Sequence, residues 1–116
     1  DSGNTLSLYS NFGKNNVDVI APGGDIPADP IFSCAFENPK GELFAPMSGT
    51  SMAAPVVSGI AAQVLSAQPH LSVAELKDLL MKAGDANPEL AEVAGSGRHI
   101  NAFKAVEAAY ARNVLF

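Results

Sequence analysis

Met47-Ser48-Gly49-Thr50-Ser51-Met52-Ala53-Ala54-Pro55 is the stretch around which this chain is organised. A short Gly-Thr turn passes there into a long apolar run, so Ser51 falls at the start of a predicted helix. A serine in that place has two physical roles open to it. As a cap, Thr50 or Ser51 accepts hydrogen bonds from the unpaired N–H groups of the first turn. As a nucleophile, Ser51 uses the positive end of the helix, which favours negative charge developing nearby. Spacing alone leaves both roles standing.

Downstream, the pattern predicts a helix from Ser51 to about Ser66. Val56, Ile60 and Val64 recur every four residues, with Val57, Ala61 and Leu65 one step round. Small residues (Ala53, Ala54, Gly59, Ala62) occupy the other faces, which predicts a helix buried on most sides. Pro55 lies near its first turn, where a missing N–H matters little. Ser72 opens a second helix: Ser72 and Glu75 form a capping box, and Leu71 can staple onto Leu76. Leu76, Leu79, Leu80 and Ala83 give this helix one apolar stripe, and Gly84 is a natural stop. Residues 85–97 read as loop. Asn101 then caps a third helix with Ala102, Ala105, Val106 and Ala109 inward.

Upstream, Ser10-Asn11-Phe12-Gly13 and Lys14-Asn15-Asn16 read as loop. Val17 to Ala21 is a β-branched run stopped by Pro22-Gly23-Gly24, which predicts a short buried strand. Residues 31–36 and 42–45 predict a hairpin around Asn38-Pro39-Lys40-Gly41.

Composition narrows the function classes. With 116 residues there is room for one domain with a modest core. The net charge of −5 leaves no basic stripe to hold nucleic acid. The longest apolar run, Ala53 to Leu65, is interrupted by Pro55, Ser58, Gly59 and Gln63, and reads as too short and too polar to span a bilayer. The chain starts at Asp1 without an initiator methionine or a signal-peptide pattern, as expected of a processed piece or an excerpt. Cys34 has no second cysteine to pair with, which fits a reducing compartment or a partner thiol elsewhere in a longer sequence.

Gly49-Thr50-Ser51-Met52-Ala53-Ala54-Pro55 resembles the nucleophile signature of the subtilisin-like serine proteases, with Val56 standing where many members carry a histidine that is not the catalytic base. Tyr9-Ser10-Asn11-Phe12-Gly13 with Val17-Asp18-Val19-Ile20-Ala21-Pro22-Gly23 is similar to the family's strand and turn upstream of that serine. Gly95-Ser96-Gly97 with Ile100-Asn101-Ala102 and Ala105 is similar to its closing glycine turn and last helix. The resemblance implies an α/β fold. Residues 1–116 would be the C-terminal fragment of a single peptidase domain of three-layer architecture with a parallel sheet, built from a short strand, a hairpin, a buried nucleophile helix and two further helices.

It also implies a serine endopeptidase acting on peptides or proteins. Ser51 is then the nucleophile and its N–H one oxyanion donor, while Met47, Ser48, Gly49 and Thr50 resemble the stretch lining the leaving-group side of the cleft. A serine hydroxyl needs a general base, itself oriented by a third group. In this family both partners precede the serine in the chain, yet no histidine occurs before Ser51. His70 lies beyond the far end of a helix ~24 Å long at 1.5 Å per residue, and His99 falls in the closing turn. Asp1-Ser2-Gly3 looks like the family's aspartate triplet but sits too close to the next block to be it.

The expectation is an isolated chain without hydrolytic activity, which needs the N-terminal portion of the same domain. No cofactor is required. The resemblance allows structural calcium in the parent, but Asp18, near a weak cation site in some members, is one carboxylate against the 6–8 oxygens calcium takes; no metal ligands are assigned. Met52 is an oxidation-sensitive position. Export is expected by analogy with bacterial secreted members. The alternatives are a non-catalytic protein of the same fold, in which Ser51 is only a cap, and a free-standing interaction module. The second alternative is disfavoured because the Ser51 helix is apolar on more faces than its neighbours here can cover.

Overall fold

Capping chemistry and helical periodicity account for the best-formed part of the molecule. In the computed structural model, which describes residues 5–36 and 41–113, three helices gather around a small core. These are α1 (Thr50–Ala67), α2 (Val73–Ala83) and α3 (Ala102–Asn113). Val64, Ile60, Leu79, Leu80, Ala105 and Ala109 form the buried cluster, with Leu71, Leu76 and Val106 packed against it. The α3 alanines at 105 and 109 are fully buried, and their small side chains let that helix approach α1 closely.

α2 begins as its sequence dictates. The Ser72 hydroxyl accepts from the Glu75 N–H at 3.3 Å, and the Glu75 carboxylate accepts from the Ser72 N–H at 2.9 Å. Gly84 is the C-cap, but in an extended rather than a left-handed conformation (φ −71°, ψ 169°). Its lack of a side chain serves another end, because a Cβ there would overlap the His99 carbonyl. The Arg98 guanidinium donates to the Gly84 carbonyl at 2.8 Å and so satisfies a group at the end of α2. Asn101 caps α3 by accepting from the Lys104 N–H at 3.0 Å.

α1 departs from expectation. It runs one residue further at each end than predicted. At 18 residues it is, by length and composition alone, apolar enough to cross a membrane, which the 53–65 run did not suggest. It is also far less buried than predicted: within it only Ile60 and Val64 are enclosed. The reason is geometric. α2 and α3 cover one flank of its C-terminal half, and no sheet covers the other flank among the described residues. The radius of gyration, 15.7 Å, exceeds the ~13 Å of a compact chain of this length.

The hairpin forms, with β1 (Ile31–Cys34) antiparallel to β2 (Phe44–Met47) and Ile31 opposite Met47. β2 lies two residues later than predicted. Pro46 does not end it, because in a two-stranded sheet a residue without an N–H is tolerated on an edge. The turn predicted at 38–41 lies mostly outside the described residues, as does Asp1-Ser2-Gly3. Residues 85–97, predicted as loop, hold β3 (Asp85–Ala86) and a 3₁₀ turn (Pro88–Leu90), and they bury Leu90 and Ala94. β3 pairs antiparallel with β4 (Arg98–His99).

The predicted strand at 17–21 is not a strand, and the parallel sheet is not shown. The described sheets are two short antiparallel pairs. What exists is an extended segment with partial pairing. Val17 and Asp18 carbonyls accept from the Gly95 and Ser96 N–H groups, and Ile20 forms a single parallel bridge with His99. The Ile20 carbonyl accepts from the Ile100 N–H at 2.8 Å.

Candidate active site

β2 delivers the chain to Met47, and Ser48-Gly49 turns it into α1. Gly49 is the N-cap at φ +148°, a region that disfavours side chains, and the helix start carries no side-chain cap hydrogen bond. The capping role open to Thr50 and Ser51 in the sequence is therefore not taken up. The Gly49 carbonyl accepts from the Met52 and Ala53 N–H groups, at 3.0 and 3.3 Å. Helix geometry leaves the Thr50 and Ser51 N–H groups without an intrahelical acceptor, available to an outside oxyanion. Ser51 itself is exposed.

Ser51 opens onto a pocket of about 350 Å³ between the hairpin and α1. Phe32, Cys34, Met47, Met52, Pro55 and Val56 supply much of its lining, so its walls are mainly apolar. Of the residues predicted to contact substrate, Met47 lines this pocket, Ser48 and Gly49 form the turn, and Thr50 lines a separate cavity of about 50 Å³. Cys34 is a free, exposed thiol.

No imidazole or carboxylate belongs to the lining of the Ser51 pocket. His70 is exposed beyond the end of α1. His99 sits on the ~50 Å³ cavity, paired with Asp85 across the short sheet and flanked by Arg98 and Ile100, whose backbones hydrogen-bond Ile20. No group of three metal-ligating side chains occurs among the described residues. The Asp18 carboxylate is paired with Lys77 at 2.9 Å. Asp85, 2.6 Å from the Lys104 ammonium and accepting from Asn101 at 2.8 Å, is held below its ordinary value by those bonds. Glu75 is lowered in the same way by its bonds to Ser72. Both carboxylates are structural and distant in sequence from Ser51.

The sequence reading missed what lies behind the turn. The Gly49 N–H donates to the Gly23 carbonyl at 2.8 Å, and the Tyr9 hydroxyl donates to the Gly24 carbonyl. Gly23 and Gly24 are both buried. A signal existed in part: Tyr9-Ser10-Asn11-Phe12-Gly13 and Ala21-Pro22-Gly23 carry the family resemblance, but nothing in their spacing marks them as a support for Gly49.

Ser51 is thus an exposed serine, uncommitted to capping and placed on a glycine turn at a helix N-terminus. Comparison with known proteins identifies the family. The Subtilase family model matches residues 1–97, and the chain belongs to that family. It is 37% identical over 97 residues to a subunit of the Escherichia coli subtilase cytotoxin, covering 84% of this chain and 25% of that protein. It is 40% identical over 80 residues to the halolysin-like extracellular serine protease Nep of Natrialba magadii, covering 69% of this chain and 13% of Nep. A solved structure of the subtilase cytotoxin SubAB assembly superposes with a TM-score of 0.76 at 32% identity, over 97% of this chain and 34% of that one. The chain thus spans a quarter or less of the length of these two curated relatives.

Proposed function

We propose that this chain is the C-terminal, nucleophile-bearing portion of a subtilisin-like serine endopeptidase domain. The observation that carries the reading is the exposed Ser51, on a glycine turn at the head of α1, with no cap hydrogen bond to occupy it. Ser51 attacks the scissile carbonyl of a peptide or protein, and its own N–H donates one hydrogen bond to the oxyanion. Met47, Ser48, Gly49 and Thr50 line the leaving-group side. The general base, the carboxylate that orients it and the second oxyanion donor come from the N-terminal portion of the same domain. That portion also covers the open flank of α1, which makes α1 a core helix rather than a membrane span.

On this reading the chain alone does not hydrolyse peptides. Absence of one oxyanion donor lowers rates by ~10²–10³, and absence of a triad member by more. No cofactor takes part in the chemistry, and structural calcium in the parent has no ligands assigned in this chain. Export is supported by a relative named as extracellular. A subtilase-fold protein without activity would need Ser51 only as a cap, and the uncapped helix start argues against that.

The test is fluorophosphonate labelling of the full-length gene product. Labelling that Ser51→Ala abolishes supports the reading, and a wild-type protein that stays unlabelled overturns it.

A further inference from the structure

We propose that Tyr9 is a positioning residue for Ser51, acting through the Gly23–Gly24 turn. The inference rests on Ser51 being the nucleophile. Because no side chain caps α1, the location of its first turn is set by the backbone. The tether is the hydrogen bond from the Gly49 N–H to the Gly23 carbonyl, at 2.8 Å. That carbonyl is fixed only as well as the turn it belongs to, and the next carbonyl along, Gly24, accepts from the Tyr9 hydroxyl.

The packing leaves the turn little freedom on either side. A Cβ on Gly23 would lie 2.7 Å from the Gly49 carbonyl oxygen and 3.0 Å from the Tyr9 hydroxyl, so all three groups meet at one place. Gly24, at φ +78°, is held equally close on the hairpin side: a Cβ there would lie 2.8 Å from the Ile31 nitrogen and 3.1 Å from the Met47 carbonyl. The turn is therefore clamped between Tyr9 and the strand that leads into Ser51. Removing the Tyr9 hydroxyl frees the Gly24 peptide to rotate, and the Gly23 carbonyl and Gly49 follow. Tyr9 also borders the ~50 Å³ cavity that Thr50 and Ala53 line, so it faces the first turn of α1 across that space. Tyr9 touches no reacting atom; its effect is on where the Ser51 hydroxyl points.

The experiment uses Tyr9→Phe, which keeps the ring and deletes the donor. In the full-length protein, inactivation by a fluorophosphonate is resolved into its maximal rate and its half-saturation concentration, per titrated active site. The expected result is a maximal rate lowered about two- to tenfold, the loss of one ordinary hydrogen bond, with half-saturation unchanged. In the same full-length protein, hydrogen exchange of the Gly49 amide should quicken by a similar factor while the Val64 and Leu79 amides stay as they are. A rate equal to wild type, or an unaltered Gly49 amide, overturns the proposal. So does a loss that appears only as fewer titratable sites, which is the mark of a purely structural residue. A wild-type protein inert to the probe takes down the nucleophile reading and this proposal together. A labelled wild type with an unaffected Tyr9→Phe takes down this proposal alone.

Discussion

Gly59 lies in the middle of α1, and a Cβ built there meets nothing within 4 Å. Its backbone is helical, so alanine fits without strain. Replacing a helix-interior glycine by alanine restricts the unfolded chain and stabilises by about 1 kcal/mol. For a chain of this size that is roughly 3–5 °C in Tm, or about 0.5 M in urea midpoint at a slope near 2 kcal/mol per M. Gly59→Ala should therefore stabilise the 1–116 chain, as read by circular dichroism on heating and in urea. In the full-length protein the sign should reverse. If the missing layer packs on the open flank of α1, the added methyl group enters filled space, and overpacking costs about 1–3 kcal/mol. Destabilisation of the short chain refutes the helical assignment of Gly59. Stabilisation of both forms refutes the claim that this flank is covered.

Ser51→Ala in the full-length protein should lower peptide hydrolysis at least ~10³-fold. It should leave stability within about 0.5 kcal/mol, because Ser51 is exposed and caps nothing; matched activity assays and melts decide both halves. Ser72→Ala removes one side of the capping box and should destabilise the chain by about 1 kcal/mol, read from urea midpoints. Asp85 and Glu75 are held below their ordinary values of 3.8 and 4.5. A carboxylate lowered on folding stabilises the fold above its unfolded value, and that contribution is lost as pH falls through the folded value. The urea midpoint of Asp85→Asn should accordingly lie below wild type at pH 6, with the gap closing as pH falls through the lowered value of the folded carboxyl; a gap that persists unchanged into acid would refute the assignment.

What the sequence made legible was chiefly local. Ser72 with Glu75, Asn101 at the head of α3 and the leucine stripe of α2 are decided within a few residues of themselves, and each appears as read. The hairpin was also legible, shifted by two residues because Pro46 looked like a terminator yet sits on an edge. The 17–21 segment reads as a strand from its β-branched residues, but a strand needs neighbours along its length, and here Ile20 finds only a bridge. The same cause underlies α1. Its small and apolar faces describe a helix enclosed on most sides, and the described chain supplies one side. Ser51 was identifiable from its heptapeptide, whereas the absence of a side-chain cap at the head of α1 became visible only in the geometry at Gly49. The support from Tyr9, Gly23 and Gly24 was invisible, because it depends on backbone groups far apart in sequence coming within hydrogen-bond reach.

The core grips α1 around Ile60 and Val64, whereas Ser51 stands near its other end. Thirteen residues at 1.5 Å each put about 20 Å between Val64 and Ser51. The helix is thus held at two points, among the leucines and at the Gly49–Gly23 hydrogen bond, and a tilt of about 3° at the core would move the tip by ~1 Å against that bond, a displacement of the size that slows chemistry ~10²-fold. On the reading of Ser51 as nucleophile, trimming Leu79 or Leu80 detunes it from a distance.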